Sequence, residues 1–222
     1  MDTLDIMKKR HSVRNYTEKR IEGEVKEELE KYIKQCNSES GLHMQLCTDE
    51  PEAFNSLMAH YGKFKNARNY IVMAGKKSSS LPETCGYYGE KVVLKAAEMG
   101  LNTCWVGGTY SKSKAQFTID KDEKVVCIIA IGYGAIQGVE RRTKSMEQLS
   151  RVEGEMPQWF KRGMEAAMLA PTALNQQKFL ISLKGNKVKA KALTGFFTKL
   201  DLGIVKYHFE IGAGKEGWQW ED

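Results

Sequence analysis

The stretch Ala170-Pro171-Thr172-Ala173-Leu174-Asn175-Gln176-Gln177-Lys178-Phe179 joins an apolar helical run to a strand-like run. Pro171 lacks an amide N–H and disfavours the helical conformation at Ala170, so the preceding helix is predicted to end there. Beyond the proline, a hydroxyl and three side-chain amides precede the largely apolar residues 179–183. The stretch predicts either a polar recognition segment between two buried elements or a capped helix end with an ordinary polar turn.

The composition is that of a globular protein. The chain has 222 residues, 41% of them hydrophobic, and can bury a core as one large domain or as two small interleaved ones. Its net charge of +6 suits phosphate groups of a small ligand, nucleic acid or an unspecialised surface. Five cysteines without a CxxC pair predict reduced thiols in a cytoplasmic protein. We expect no secretory segment, no membrane span and no metal site.

An arginine-rich segment follows a short predicted helix near the N-terminus. It reads Arg10-His11-Ser12-Val13-Arg14-Asn15-Tyr16. An extended backbone would place Arg10, Ser12 and Arg14 on one side, where their groups suit a phosphate. A solvated basic turn is the alternative. A second basic cluster, which either meets the same anion or forms a surface charge run, contains Arg141, Arg142 and Lys144.

Paired glycines mark the end of a predicted strand in the middle of the chain. A buried helix is predicted to end at Gly100, and residues 101–106 lead from it into Gly107-Gly108. Glycines at a strand end allow backbone N–H groups to approach a ligand closely, because no Cβ intervenes. A plain tight turn is the alternative interpretation.

The other segments predict scaffold. Helices are expected over residues 3–10, 22–35 and 159–169, and another opens near residue 48 around Phe54, Leu57 and Met58. Residues 37–41 predict a polar connection, and residues 70–74 and 125–131 predict buried strands.

The last third of the chain echoes its middle. Helical spacing recurs around His208, and Leu202-Gly203-Ile204 aligns with Tyr88-Gly89-Glu90. The echo predicts two equivalent central helices that pack like the partners of a symmetric dimer. Chance similarity between two amphipathic helices is the alternative. His208 itself is predicted to be a packed core residue.

Residues 10–16, 100–108 and 170–177 resemble three signatures of the FMN-dependent nitroreductase family. The resemblance implies an α+β fold with a central, mainly antiparallel sheet packed by helices. It implies phosphate and ribityl contacts from residues 10–16 and backbone contacts near flavin N5 from the glycine pair. It implies flavin-ring contacts from residues 170–177, which we call the late motif. The cofactor-binding residues that it implies are Arg10, His11, Ser12, Arg14, Val106, Gly107, Gly108, Arg142, Lys144, Pro171, Thr172, Ala173, Asn175 and Gln177.

One departure from the family pattern concerns the position of the ring motif. In the usual member this motif follows the arginine segment within a few dozen residues and reaches the flavin of the partner subunit. Here it begins at residue 170, and residues 37–45 are degenerate. The chain thus resembles a single-chain subgroup with internally duplicated halves, residues 1–150 and residues 151–222. One FMN per chain, in a monomer (pseudo-dimer) or homodimer, follows from that resemblance.

The resemblance implies an NAD(P)H oxidoreductase of nitroreductase type. NADH or NADPH would pass hydride to flavin N5, and a nitroaromatic, a quinone or a similar small-molecule acceptor would take the electrons. No catalytic side chain is assigned, because the flavin carries the chemistry. Two alternatives stay open: an FMN-binding protein without nicotinamide-dependent turnover, and a basic nucleic-acid-binding protein. The sequence contains no recognised nucleic-acid module, so no nucleic-acid partner is expected.

Overall fold

The structure is a computed structural model that describes residues 2–55 and 61–221. Its helices are α1 (Thr3–Lys9), α2 (Gly23–Ser40), α3 (Leu81–Glu98), α4 (Met146–Leu149), α5 (Gln158–Ala167) and α6 (Thr198–Ala213). Its strands are β1 (Gln45–Cys47), β2 (Tyr70–Lys76), β3 (Asn102–Val106), β4 (Glu123–Gly132), β5 (Ser150–Val152), β6 (Phe179–Lys184), β7 (Lys187–Ala192) and β8 (Gln219–Trp220). Two 3-10 turns are Pro51–Phe54 and Ala173–Asn175.

Two compact units interleave along the chain. The first-sheet unit consists of Arg10–Leu81 and Lys91–Glu140. The second-sheet unit consists of Met1–Lys9, Pro82–Glu90 and Arg141–Asp222. Helix α3 therefore contributes its beginning to the second-sheet unit and its end to the first-sheet unit. The predicted halves, divided at residue 150, stay a prediction.

The first-sheet unit is built on an antiparallel sheet with the strand order β1-β2-β4-β3. Residues 70–75 of β2 and 127–132 of β4 are buried without interruption, as near-continuous apolar runs predict for strands covered on both faces. A register shift between Met73 and Ala74 bends the pairing of β2 with β4. Strand β3 lies at the edge of this sheet, where it can pair with other segments of the unit.

Helix α2 of the same unit continues to Ser40, where the sequence predicted a polar connection from residue 37. The Ser40 hydroxyl donates to the Cys36 carbonyl at 2.6 Å, and Gly41 ends the helix in the left-handed conformation, with φ 70°. The polar side chains of this turn therefore fit within the helix. The predicted helix that opens near residue 48 is the 3-10 turn Pro51–Phe54, and Leu57 and Met58 lie outside the described residues.

The second-sheet unit has the strand order β5-β6-β7-β8. Strands β6 and β7 pair antiparallel, whereas β5–β6 and β7–β8 pair parallel. Helix α5 ends before Pro171, as the proline predicted. Gly163 of this helix lies directly against the Phe209 ring of α6, where an added Cβ would be only 2.7 Å from Phe209 Cε2.

The start of α3 and helix α6 cross through two glycines. A Cβ added at Gly203 would overlap the carbonyl oxygen of Glu83 and lie 2.7 Å from the Tyr87 nitrogen. A Cβ added at Gly86 would overlap the carbonyl oxygen of Leu200 and lie 3.1 Å from the nitrogen of Ile204. The two contacts are reciprocal, as in an isologous interface. In the structure, Gly203 is thus the counterpart of Gly86. The echo in the sequence instead aligned Gly203 with Gly89, three residues further along α3.

His208 is buried in this helix pair, in agreement with the prediction of a core residue. Its Nδ1 lies 3.1 Å from the Ala166 carbonyl, and its Nε2 lies 2.9 Å from a carboxylate oxygen of Glu90. Both ionisable side chains are 0% exposed. Among the described residues, no helix is long and apolar enough to cross a membrane.

Candidate functional site

The arginine segment, residues 10–16, runs along the edge strand β3. The Val13 N–H donates to the Thr103 carbonyl at 3.0 Å, and Ser12 forms a parallel bridge with the same residue. Val13 is 2% exposed, whereas Ser12 and Arg14 on either side of it are exposed. This is the alternation of an extended strand, so one face enters the core and the other faces outwards.

Backbone hydrogen bonds also fix the end of the arginine segment. The Lys65 N–H donates to the Arg14 carbonyl at 2.8 Å, and the Ala135 N–H donates to the Asn15 carbonyl at 2.9 Å. The Tyr16 hydroxyl donates a hydrogen bond to the Val13 carbonyl at 2.6 Å. These bonds hold the backbone between two neighbouring loops, so the exposed side chains project from a fixed frame.

Gly138 holds the start of the arginine segment from another loop. A Cβ at this position would overlap the Cβ of His11 and lie 2.9 Å from the Ser12 carbonyl oxygen. The close approach requires glycine, because both atoms belong to or adjoin the backbone. No periodic pattern in the sequence marks this residue.

The pKa of the Cys104 thiol on β3 responds to the side chains of the arginine segment. Burial raises the pKa of this thiol, whereas the Arg14 charge, a hydrogen bond from Ser12 and the Arg10 charge each lower it. Three side chains at alternate positions therefore act on one sulfur atom. Two guanidinium groups and a hydroxyl on one side of an extended segment can bind a phosphate by charge-assisted hydrogen bonds.

The glycine pair continues from β3, directly after the strand that pairs with the arginine segment. Val106 is 2% exposed and belongs to the core of the unit, so its side chain faces away from any surface ligand. Gly108 is exposed, and an added Cβ would meet no heavy atom of the described residues within 4 Å beyond its chain neighbours. The backbone at Gly108 is thus open to the approach of a flat group.

In the second-sheet unit, the glutamine turn, residues 171–177, binds the loop that contains Arg142 and Lys144. The Arg142 carbonyl accepts from the Asn175 and Gln177 amides at 2.9 and 3.0 Å. The Lys144 ammonium donates to the carbonyls of Gln176 and Gln177 at 3.0 and 3.1 Å. The second basic cluster and the late motif are therefore brought together within this unit.

Gln177 joins these two loops as an internal link. Its side chain is 4% exposed, and its carbonyl oxygen accepts the Lys144 N–H at 2.8 Å. Its own N–H donates to the Thr172 hydroxyl oxygen at 3.0 Å. The sequence suggested a ligand contact for Gln177 and did not reveal this bridging role. The next residue, Lys178, is exposed.

A buried carboxylate, Asp201 of α6, supports the glutamine turn. It accepts the Ala173 N–H at 3.0 Å and the Gln176 side-chain amide at 3.0 Å. Burial raises the pKa of this carboxyl to about 6, against the effect of the two hydrogen bonds. The signal available in the sequence was a charged residue within the apolar pattern of this helix.

The predicted site residues thus form two clusters, one in each unit. Those of the first-sheet unit are Arg10, His11, Ser12, Arg14, Val106, Gly107 and Gly108. Those of the second-sheet unit are Arg142, Lys144, Pro171, Thr172, Ala173, Asn175 and Gln177. Each cluster is held by backbone and side-chain hydrogen bonds within its own unit.

Comparison with solved structures shows that this α+β fold is that of the nitroreductases. A "putative nitroreductase" from Thermotoga maritima MSB8 superposes with a TM-score of 0.67 and 22% identity, over 96% of this chain and 83% of the other. A nitroreductase family protein from Streptococcus pneumoniae TIGR4 superposes with a TM-score of 0.53 and 13% identity, over 65% and 96% of the two chains. The predicted fold class is confirmed.

The particular family follows from a match of the sequence to a family model. The chain belongs to the family described as "Putative TM nitroreductase", whose model matches residues 2–213. A further solved structure, from Bacteroides thetaiotaomicron VPI-5482, is described as a "Putative NADH dehydrogenase/NAD(P)H nitroreductase". It has a TM-score of 0.51 and 22% identity, over 66% of this chain and 95% of the other. No curated protein matches the chain.

Proposed function

We propose that the protein is an FMN-dependent NAD(P)H oxidoreductase that reduces a nitroaromatic, a quinone or a similar small acceptor. The observation that carries this proposal is the extended backbone of the arginine segment beside the edge strand that leads to the glycine pair, which places Arg10, Ser12 and Arg14 on one side. Membership of a nitroreductase family supports it. The Bacteroides protein that is named for NAD(P)H supports a nicotinamide as the electron donor.

The residues of the first-sheet unit fit the phosphate end of FMN. Arg10, Ser12 and Arg14 offer charge-assisted donors to a phosphate, and hydrogen bonds of residues 13–16 fix the backbone from which these side chains project. The open backbone at Gly108 allows a planar ring to approach closely. When bound, FMN supplies a hydride acceptor at N5 and delivers the electrons onwards. The chain's own part is to bind, orient and electrostatically stabilise that group.

The residues of the second-sheet unit are proposed as flavin contacts from the motif resemblance. Pro171, Thr172, Ala173 and Asn175 would contact the ring, and Arg142 and Lys144 would add positive charge. The hydrogen bonds from Lys144 to the turn support a shared role, since they hold the basic loop and the motif as one cluster. Gln177 would act there mainly through the loops that it links.

The binding part of the proposal is tested with Arg10→Ala and a matched control, Arg20→Ala. Arg20 is an exposed arginine of the same unit, and its partner is Asp49 at 3.8 Å. Each charge-assisted hydrogen bond that Arg10→Ala removes is worth roughly 1.5–3 kcal/mol, so the Kd for FMN should rise roughly 10- to 150-fold for each. Arg20→Ala should retain the wild-type Kd. Equal FMN affinity in all three proteins would refute the phosphate assignment.

The redox part is tested by anaerobic stopped-flow mixing of the FMN-loaded protein with NADH or NADPH. Rapid loss of the flavin absorbance, followed by reoxidation with a quinone, is the expected result. Binding of FMN without reduction by either nicotinamide would contradict the enzyme assignment and identify a flavin-binding protein without turnover.

A further inference from the structure

Asp201 accepts two hydrogen bonds from the glutamine turn. Its side chain is 2% exposed in the first turn of α6. One carboxylate oxygen accepts the Ala173 N–H and the other accepts the Gln176 side-chain amide, both at 3.0 Å. A single buried carboxylate thus binds the backbone at the start of the turn and a side chain near its end.

The conformation of the glutamine turn requires such support. Leu174, Asn175 and Gln177 all adopt positive φ angles of 53°, 53° and 47°. Residues other than glycine rarely adopt these angles unless the surrounding structure imposes them. Leu174 is 90% exposed, so packing of its own side chain supplies little of that constraint. Hydrogen bonds to the turn supply that constraint, and the two bonds to Asp201 are among them.

Gln176 connects Asp201 to a second loop, the one that precedes α6. Its side-chain amide also donates to the Phe196 carbonyl at 2.6 Å. The backbone N–H of Asp201 donates to the Phe197 carbonyl at 2.9 Å. The carboxylate, the turn and the loop before α6 therefore form one connected network, and Asp201 is its only carboxylate among the described contacts that these residues make.

A buried carboxylate is costly unless its hydrogen bonds are satisfied, and a neutral side chain could have filled this volume. An acceptor with two oxygens is needed here because two N–H donors, one from the backbone and one from an amide, point to the same place. An asparagine would present a donor to one of them. The position thus selects a carboxylate for the sake of the turn.

We propose that Asp201 is a positioning residue that fixes the glutamine turn in the conformation in which it contacts the flavin ring. The inference rests on the proposed function, because the ring contact of the turn is part of that proposal. The role belongs to Asp201 and is exerted through Ala173 and Gln176, without any contact of the carboxylate with the ring.

The test uses Asp201→Asn, the milder Gln176→Met, and Glu210→Gln as the matched control. Glu210 lies on the same helix, but it accepts from Tyr87 and Trp220, away from the turn. In Asp201→Asn, one hydrogen bond to the turn becomes a donor–donor contact. Hydrogen exchange of the amides of residues 173–177 in the FMN-free protein should then accelerate about 10- to 100-fold. Gln176→Met should show a smaller acceleration, and Glu210→Gln none.

The spectrum of bound FMN supplies the second readout. The visible circular dichroism of the flavin should change in Asp201→Asn, and the Kd for FMN should rise about tenfold. A merely destabilised protein would bind FMN with the wild-type circular dichroism, because the turn would keep its conformation around the ring.

Two results separate failure of this inference from failure of the proposed function. Wild-type exchange rates and a wild-type flavin spectrum in Asp201→Asn would overturn the positioning role. If the wild-type protein binds no FMN, the proposed function fails, and unchanged or accelerated exchange in the variants then decides whether Asp201 holds the turn.

Discussion

The free energy of unfolding should depend on pH through Asp201. Burial raises the pKa of its carboxyl to about 6 in the folded protein, and the Ala173 and Gln176 hydrogen bonds offset only part of this effect. In the unfolded chain the same carboxyl titrates near 3.9. Between these two values the folded state binds more protons than the unfolded state does. The stability contributed by this group is therefore complete below about pH 4 and is lost as the pH rises through about 6.

The magnitude follows from the distance between the two pKa values. They differ by about two units, and each unit corresponds to 1.36 kcal/mol, so the full effect is about 3 kcal/mol. Asp201→Asn has no titrating group at this position. The unfolding free energy of the wild type, relative to this variant, should thus fall by about 3 kcal/mol between about pH 4 and pH 7. In a chain of this length the change corresponds to roughly 6–12 °C in Tm.

Thermal unfolding of the FMN-free proteins, followed by circular dichroism from about pH 4 to pH 8, measures this difference. Other carboxylates titrate in both proteins and cancel in the comparison if they do not couple to residue 201. Glu216→Gln, a substitution at an exposed position, serves as the control and should give a curve parallel to the wild type. Parallel curves for the wild type and Asp201→Asn would refute the reasoning.

Three further predictions concern glycines and stoichiometry. Gly203→Ala should lower the unfolding free energy by about 2 kcal/mol in denaturant titrations, since overlap with the α3 backbone outweighs about 1 kcal/mol of helix propensity. A more stable variant would contradict the close crossing. Gly108→Ala should keep the wild-type Tm, because the added Cβ meets no neighbouring atom within 4 Å. It should weaken FMN binding in fluorescence titrations, because the same Cβ would occupy the space through which the flavin ring approaches the backbone. Unchanged affinity would argue against a ring at Gly108. The ratio of flavin absorbance to protein concentration should correspond to one FMN per chain. Two FMN per chain would refute the hypothesis that two duplicated halves share one site.

Much of the fold was predictable because its signals are local. The apolar runs of β2 and β4 and the helical spacing of α3 predict their own conformations without reference to distant residues. Gly100 ends α3 with a φ of 79°, as its position after the last apolar turn indicated. The alternation of residues 10–14 likewise follows from the sequence alone, because an extended backbone imposes it.

The supports of the candidate site were not predictable, because they join residues far apart in the chain. Lys65 pairs with Arg14, and Gly138 touches His11, without any motif that links the members of either pair. Gln177 looked like a ligand contact because a free amide can donate and accept, but its hydrogen-bonding groups are used within the unit. Such contacts depend on which loops meet in the fold, and periodicity carries no information about that.

The reciprocal crossing of Gly86 and Gly203 has a consequence for how the chain can diverge. In a homodimer every substitution occurs on both sides of the two-fold axis, whereas a gene fusion allows each side to mutate alone. On the duplication hypothesis, the glycines had to stay because each meets the backbone of the other helix. Their surroundings were free to change: Glu83 pairs with Lys206, whereas the positions that correspond to these two when Gly86 is matched with Gly203 carry Leu200 and Gly89. A symmetric crossing of two glycines, surrounded by residues that differ between the two helices, is therefore what independent mutation of the two halves is expected to leave.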